Sequence, residues 1–187
     1  MKKVNRNIVI RENEETLLPL LWTGEEKELT YNVTLVGNGA KLRFLALLLG
    51  DKHTSLQLAI NVYHQKPETK SEIIVKSVLH DASHVNFQGL VKIEPASKGT
   101  ITWLAAHILL LSKNAIGEAT PSLEILENDI SAGHATTVGR IDESELFYLM
   151  SRGLSEKKST QLIVQGFLAG ILKEFPKELA IKAAKYV

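Results

Sequence analysis

Residues 41–64, KLRFLALLLGDKHTSLQLAINVYH, contain two runs in which an apolar residue recurs at every second position. The recurring residues are Leu42, Phe44, Ala46 and Leu48 in the first run, and Leu56, Leu58, Ile60 and Val62 in the second. A period of two is that of a β-strand, whose successive side chains point to opposite faces of the sheet. Residues 44–49 are apolar at both parities, as expected for a strand with one face in an interior and the other face covered. The stretch therefore predicts two consecutive strands joined by a short turn.

The same alternation continues along most of the chain. Further runs occupy residues 29–35, 72–79, 85–93, 101–111, 122–126 and 130–138, and clusters of Gly, Pro, Asn, Asp or Ser separate them. They predict about eight strands whose starts lie roughly 13–16 residues apart. Apart from residues 36–40, the sequence lacks the Asn-Gly and Asp-Gly signals of two-residue hairpins. We therefore predict a mainly β fold built as a flattened parallel β-helix, although a β-sandwich fits the periodicity nearly as well.

The composition excludes several classes of function. The 187 residues include 22 Lys plus Arg and 21 Asp plus Glu, a net charge of +1, whereas nucleic-acid binding needs a clustered excess of cations. The absence of cysteine excludes disulfides, thiolate metal sites and cysteine nucleophiles within this chain. No apolar run approaches the roughly 20 residues of a membrane helix, and the N-terminus lacks the apolar stretch of a secretory signal. A cytoplasmic protein without a membrane segment is expected.

Beyond residue 141 the apolar period changes from two to 3.6, which predicts helices. Asp142 and Ser155 are in the position of N-caps, and Val164, Phe167 and Leu168 belong to the apolar stripe of the second helix. Residues 177–187 predict a third helix, with Leu179, Ala183 and Val187 buried. The change of period predicts two domains, a β-helix core over residues 1–141 and a helical domain over residues 142–187. We expect the helices to pack on one end of the β-region and cap it.

The histidines are the candidate ligands in a chain without cysteine. His80 and His84 flank Asp81, a spacing that would hold a metal if the turn curled, but two solvated loop histidines are the favoured interpretation. His107 and His134 lie in phase with the apolar residues of their strands, which indicates buried, interface or ligand positions. The sequence has no nucleophile elbow, phosphate-binding loop or HExxH motif, so no enzymatic activity is predicted.

Four segments in the second half of the chain form a specific pattern. They are residues 109–112 (LLLS), 121–125 (PSLEI), 133–139 (GHATTVG) and 146–155 (LFYLMSRGLS). In this order and spacing they resemble the end of the SufB/SufD family, which belongs to the SUF machinery for iron–sulfur cluster assembly. The resemblance covers about residues 85–175, and residues 86–91 resemble a further strand motif of the family.

The resemblance implies a right-handed parallel β-helix followed by a small C-terminal α-helical domain. It also implies a scaffold that forms homodimers or heterodimers through the β-helix and docks a SufC-like ABC ATPase through its helices. Ala106 stands where the SufB branch has a functional cysteine, and Ala135 stands where that branch has glutamate. These departures place the chain nearer SufD or among short SufBD-like paralogues. His134 matches a histidine that the family places at the subunit interface.

The sequence therefore predicts a non-catalytic, SufD-like scaffold subunit whose partners are a SufC-like ATPase and either a SufB/SufD-like subunit or a second copy. The dimer contact is expected along residues 101–111 and 130–138. His134 and His107 are the metal or interface candidates, and Lys182, Lys185 and Tyr186 are the ATPase-docking candidates. No tightly bound cofactor is expected, only iron or an iron–sulfur cluster shared transiently with a partner subunit. The alternatives are a stand-alone β-helix that binds a metal or small ligand, and a structural paralogue without SUF function.

Overall fold

The computed structural model describes residues 3–186, and these contain ten strands and three helices. The strands are β1 (Lys3–Ile10), β2 (Glu15–Trp22), β3 (Glu28–Leu35), β4 (Lys41–Gly50), β5 (Ser55–His64), β6 (Lys70–Leu79), β7 (His84–Ile93), β8 (Thr100–Leu110), β9 (Ile116–Ile125) and β10 (Ile130–Arg140). The helices are α1 (Glu143–Ser151), α2 (Glu156–Glu174) and α3 (Lys177–Ala183).

The strands form a parallel β-solenoid of about five turns. Each turn gives one strand to each of two sheets, so sheet A has the order β1-β3-β5-β7-β9 and sheet B has the order β10-β8-β6-β4-β2. Neighbouring strands in both sheets are parallel. The number of residues between paired positions is similar from one turn to the next. The predicted stack of parallel strands is confirmed. The right-handed sense of the coil and the division into two domains stay predictions.

Ten strands replace the eight that the sequence predicted, because β1 and β2 were missed. Half of the residues of β1 (KVNRNIVI) are polar, and β2 (ETLLPLLW) contains Pro19, which weakens a strand prediction. Both strands lie at the edge of their sheet, where a proline is tolerated better than in a central strand. β9 also begins at Ile116, six residues before the predicted run at residue 122.

The solenoid interior is filled by the inward side chains of both sheets. Equivalent positions of successive turns stack on one another, as Leu29, Leu58 and Phe87 do along sheet A. Tyr31 of sheet A meets Phe44 of sheet B edge to face, with ring centroids 5.0 Å apart. The apolar residues that recur at every second position of residues 41–64 thus form the inner face of β4 and β5.

The helices do not cap an end of the solenoid, so that prediction was wrong. Leu45, Leu47 and Leu49 on the outer face of β4 form a second buried cluster with Val164 and Leu168 of α2. Val78 of β6 and Leu109 of β8, also on the outer face of sheet B, belong to the same cluster, which α2 and α3 cover. Removing this apolar face of sheet B from water determines where the helices pack.

The helix boundaries follow the predicted caps. The Asp142 carboxylate accepts a hydrogen bond from the Ser144 N–H (2.7 Å), and the Ser155 hydroxyl accepts one from the Lys158 N–H (3.4 Å). α3 ends at Ala183, earlier than predicted. Ala183 is buried and Leu179 packs partly buried in the same cluster, whereas Val187 lies outside the described residues.

Candidate functional site

β10 is an exposed sheet edge at the C-terminal end of the solenoid. In a parallel ladder, the N–H and C=O of one residue face one neighbouring strand and those of the next residue face the other. The Ile101 N–H donates to the Thr69 carbonyl, so the odd positions of β8 face β6 and its even positions face β10. In a parallel pair, a residue whose backbone groups face the partner strand lies opposite a residue whose backbone groups face away from it. Thr100 of β8 faces β10 and lies opposite Ile130, so Ile130 and the other even positions of β10 direct their backbone groups to the open edge.

The open edge of β10 carries little to block pairing with another strand. Its outward-directed backbone groups belong to Ile130, Ala132, His134, Thr136 and Val138, and β10 has neither proline nor a charged residue before Arg140. Natural edge strands are normally protected by charge, proline, a bulge or a covering element. The strand is therefore suited to accept a strand from a partner.

The neighbouring edge strand β9 is protected by Pro121. The Ile116 N–H donates to the Ser83 carbonyl (3.0 Å), so the even positions of β9 face β7 and position 121 faces the open edge. Proline at this position removes no hydrogen bond from the ladder and leaves the edge of sheet A without one donor. At this end of the solenoid, the edge of β10 can therefore pair with a further strand more readily than the edge of β9.

The structure does not bring His134 and His107 together. His134 pairs with Leu104, an inward position, whereas His107 pairs with Thr137 and belongs to the outer face of sheet B. His134 is nevertheless exposed, because β10 belongs to the last turn formed by residues 3–186 and no other strand of these residues covers its inner face. The two rings are not placed to share one metal ion, and residues 3–186 contain no group of three or more His, Asp or Glu side chains arranged for a metal.

The other histidine pair is also separated by the fold. The His84 Nε2 lies 3.0 Å from a Glu118 carboxylate oxygen across the β7–β9 ladder. His80 instead lies in the turn after β6, beside a surface depression of about 520 Å³ that also borders Lys157 and Tyr186. The LHDASH segment therefore does not curl around a common centre.

His107 lies in a row of polar side chains on the outer face of sheet B. Lys76 pairs with His107, which in turn pairs with Thr137, so the row crosses β6, β8 and β10. The His107 Nδ1 lies 2.8 Å from the Thr137 hydroxyl. Burial, and secondly the nearby Lys76 ammonium, lowers the pKa of His107, so this ring favours its neutral form. An interface contact suits His107 better than a charged role.

The predicted ATPase-docking residues lie on an exposed surface. Lys182, Lys185 and Tyr186 are exposed, and Ile181 beside them is 65% exposed. α3 packs through Ala183 onto the cluster beneath α2, which leaves these side chains outside. The structure therefore leaves all three side chains accessible to solvent.

The sequence did not predict the polar network around His64. This ring is fully buried inside the solenoid, 2.8 Å from the Thr69 hydroxyl through Nδ1 and 2.9 Å from the Ser71 hydroxyl through Nε2. Those hydroxyls continue to Thr100 (3.0 Å) and Thr102 (2.6 Å) of the next turn. Burial lowers the pKa of His64 to about 4. The sequence offered one indication of this position: His64 follows Ile60 and Val62 at the same two-residue spacing, which places it on the inner face of the strand.

Comparison with known proteins identifies the family. The description "SUF system FeS cluster assembly, SufBD core domain" matches residues 18–167, which is most of the solenoid together with α1 and the first part of α2. The chain belongs to the SufBD family. The predicted family is thereby confirmed, and the match extends upstream of the segments in which the sequence pattern was clearest.

Curated relatives of this SufBD chain carry the same family name. A protein named "Iron-sulfur cluster assembly SufBD family protein" from Staphylococcus saprophyticus is 32% identical over 156 residues, which cover 83% of this chain and 34% of the relative. Similarly named proteins from Staphylococcus epidermidis and Staphylococcus haemolyticus are 31% identical with the same coverage. The chain thus spans about a third of the length of these relatives. Among residues 3–186, no helix is long and apolar enough to cross a membrane.

Proposed function

We propose that this SufBD chain is a non-catalytic, SufD-like scaffold subunit of iron–sulfur cluster assembly in the cytoplasm. The observation that carries the proposal is the unprotected edge of β10 in a chain whose relatives are named for iron–sulfur cluster assembly. A scaffold works by holding partners, and this chain offers two separate surfaces for them. These surfaces are the edge of β10 and the exposed patch formed by Ile181, Lys182, Lys185 and Tyr186.

The edge of β10 is the proposed surface for a second solenoid, either a SufB/SufD-like subunit or another copy of this chain. An added strand would satisfy the free backbone groups of β10 and extend sheet B into the partner. His134 lies at the centre of this edge, and Trp103 and Ile101 of β8 lie exposed on the adjoining outer face. A solenoid partner would therefore gain backbone hydrogen bonds together with an apolar contact.

The patch on α3 is the proposed docking surface for a SufC-like ABC ATPase. Lys182 and Lys185 give it positive charge, while Ile181 and Tyr186 give it apolar area. A buried apolar anchor surrounded by charged groups is the usual composition of a protein interface. Because α3 shares its buried cluster with α2 and β4, movement of a docked ATPase would be transmitted to sheet B.

Iron or an iron–sulfur cluster is the cargo of such a scaffold. The chain has no cysteine, so its own ligands for iron are imidazole and carboxylate groups. We propose that cargo contacts this subunit only at the edge of β10, through His134 and groups of a partner subunit. His107 belongs to the adjacent outer face and contributes to the interface.

The ATPase interaction is tested by co-purification with a SufC-type ATPase. The double charge reversal Lys182→Glu with Lys185→Glu should abolish retention of the ATPase, and so should truncation after Phe175. The control is Lys66→Glu with Lys113→Glu, which makes the same change of net charge on exposed loops of the solenoid. Full retention by the Lys182/Lys185 variant, with retention by the control unchanged, would contradict the proposed docking surface.

The pairing of solenoids is tested at Thr136. The Thr136 N–H faces the open edge, so Thr136→Pro should remove edge pairing without breaking the β8–β10 ladder. Thr136→Val keeps the N–H and is the matched control. We expect the wild type and Thr136→Val to be dimeric by sedimentation equilibrium, and Thr136→Pro to be monomeric with unchanged circular dichroism. A wild type that remains monomeric at micromolar concentrations excludes the homodimer and leaves a heterologous SufB/SufD-like subunit as the partner to test.

A further inference from the structure

Both ends of the solenoid formed by residues 3–186 present apolar side chains that belong to its interior. They are Val4 and Ile8 of β1 with Leu18 and Leu20 of β2 at one end, and Ala119 and Leu123 of β9 with Ile130 and Ala132 of β10 at the other. All eight side chains are only partly buried. Copies that stack end to end along the solenoid axis would remove them from water. Because the two contact surfaces of such a stack differ, it could grow into an open filament.

At the end formed by β1 and β2, Pro19 faces the open edge of sheet B. The Lys41 N–H donates to the Glu14 carbonyl (2.8 Å), so the even positions of β2 face β4 and its odd positions face away from β4. Proline at an odd position removes no hydrogen bond from the β2–β4 ladder and leaves the open edge without one donor. Such a proline is typical of an edge strand, because a further strand beside β2 would meet the missing donor.

Pro19 and Pro121 lie at opposite ends of the solenoid and in opposite sheets. Pro121 faces the open edge of β9 in sheet A, as described above. If a second copy continued the solenoid with each sheet in line, its β1 would lie beside β9 and its β2 beside β10. The first junction would contain Pro121 and the second would contain Pro19 of the added copy. Neither sheet could therefore continue with a complete ladder of backbone hydrogen bonds.

We infer that Pro19 and Pro121 together prevent copies of this chain from stacking end to end as one continuous solenoid. A proline within a ladder removes a hydrogen bond, and for this reason prolines are almost absent from central strands. One proline for each sheet is sufficient, because a junction is interrupted when either of its two strands lacks the donor. A pair formed by β10 and β10 of a second copy contains no proline, so the block leaves the proposed β10 contact available. The block acts in the same way whichever solenoid partner occupies the β10 edge.

The experiment restores both donors in the full 187-residue chain. Pro19→Val with Pro121→Val gives each open edge the missing N–H and a side chain that is favoured in strands. We expect species whose mass increases with protein concentration in sedimentation velocity, and unbranched rods in negative-stain electron microscopy. The double variant should associate at least about tenfold more tightly than either single variant, because only the double variant completes the ladder in both sheets. Circular dichroism establishes that each variant is folded.

Leu17→Val with Leu123→Val is the matched control. Leu17 lies on the same face and edge as Pro19, and Leu123 on the same face and edge as Pro121, but both leucines already have an N–H. This control pair should sediment as the wild type does. Pro19→Thr with Pro121→Thr restores the same donors with polar side chains and should stack as the valine pair does.

Two results would overturn the block by the prolines. One is sedimentation of the valine and threonine pairs that is identical to that of the wild type. The other is equal growth of the control pair, which would assign the stacking to the side chains. A wild type that is monomeric contradicts only the proposed homodimer, because stacking is measured against whichever species the wild type forms.

Discussion

The ammonium group of Lys76 lies 4.6 Å from the centroid of the Phe167 ring and donates a hydrogen bond to the carbonyl of the same residue. This contact joins β6 of the solenoid to the middle of α2. Arg43 joins the C-terminal end of the same helix to β4, since it contacts both Glu72 and Glu174. No carboxylate is paired with Lys76 among the described residues, so its ammonium group is stabilised by a carbonyl and an aromatic face. Burial correspondingly lowers the pKa of Lys76.

Replacing Lys76 should change the protonation of its neighbour His107. The Lys76 charge is the second cause of the lowered pKa of His107, and burial is the first. Lys76→Met removes the charge and keeps the aliphatic packing, so the pKa of His107 should rise and remain below its ordinary value of 6.5. Titration of the His107 ring by NMR measures this shift. Lys70→Met, at an exposed outward position of the same strand, is the control and should leave the His107 pKa unchanged.

The buried His64 should make stability depend on pH in a defined window. Its pKa falls from 6.5 in the unfolded chain to about 4 in the fold, so between these values the unfolded chain binds the extra proton. The stabilising effect of a neutral His64 is complete above pH 6.5. It is lost as the pH falls towards 4. At a pH of about 5 the loss should be about 2 kcal/mol.

Urea unfolding of the wild type and of His64→Gln at several pH values measures this effect. The carboxyl groups titrate alike in both proteins, so the difference between their free energies of unfolding isolates His64. That difference should shrink from neutral pH to about pH 5. A difference that is constant over this interval would show that His64 binds its proton equally in the folded and unfolded chains.

Two glycines should respond oppositely to substitution by alanine. A Cβ atom at Gly37 would lie 2.0 Å from the backbone nitrogen of Glu12, a contact that no side-chain rotation relieves. Gly37→Ala should therefore lower the free energy of unfolding by more than about 2 kcal/mol. Gly139 in β10 has nothing within 4 Å of its Cβ position, so Gly139→Ala should be neutral or stabilise by up to about 1 kcal/mol. Thermal or urea unfolding of the two variants compares them directly.

The alternation in residues 41–64 predicted a strand covered on both faces, because residues 44–49 of β4 are apolar at every position and all are buried, but it fitted a β-sandwich nearly as well as the solenoid. The inner parity contacts sheet A and the outer parity contacts α2. The sequence did not show where the helices pack, because an apolar outer face and an open solenoid end both require cover. Only the positions of Leu45, Leu47 and Leu49 in three dimensions show that the outer face of sheet B is covered.

The candidate site was predictable by residue type more than by geometry. The in-phase positions of His107 and His134 were visible in the sequence, but their opposite faces follow from the register of β8 against β10, which depends on the length of the connecting turn. His64 was overlooked because the hydroxyls of Thr69 and Ser71 reach its ring only through the turn between β5 and β6. The continuation of the network to Thr100 and Thr102 lies 31 residues further along the chain. The edge character of β10 likewise emerges only when the strand order is known.

The protection of sheet A by Pro121 gives the last prediction. Pro121→Val adds an N–H that faces the open edge of β9, so this end of the solenoid gains a second unprotected edge beside β10. We expect species larger than the wild-type assembly in sedimentation velocity experiments, increasing with protein concentration. Thr120→Val is the matched control, because the Thr120 N–H already faces β7 and the variant adds the same side chain to β9 without a new edge donor. Identical sedimentation of Pro121→Val, Thr120→Val and the wild type would show that the edge of β9 is closed by its side chains and that the missing donor at Pro121 has no part in it.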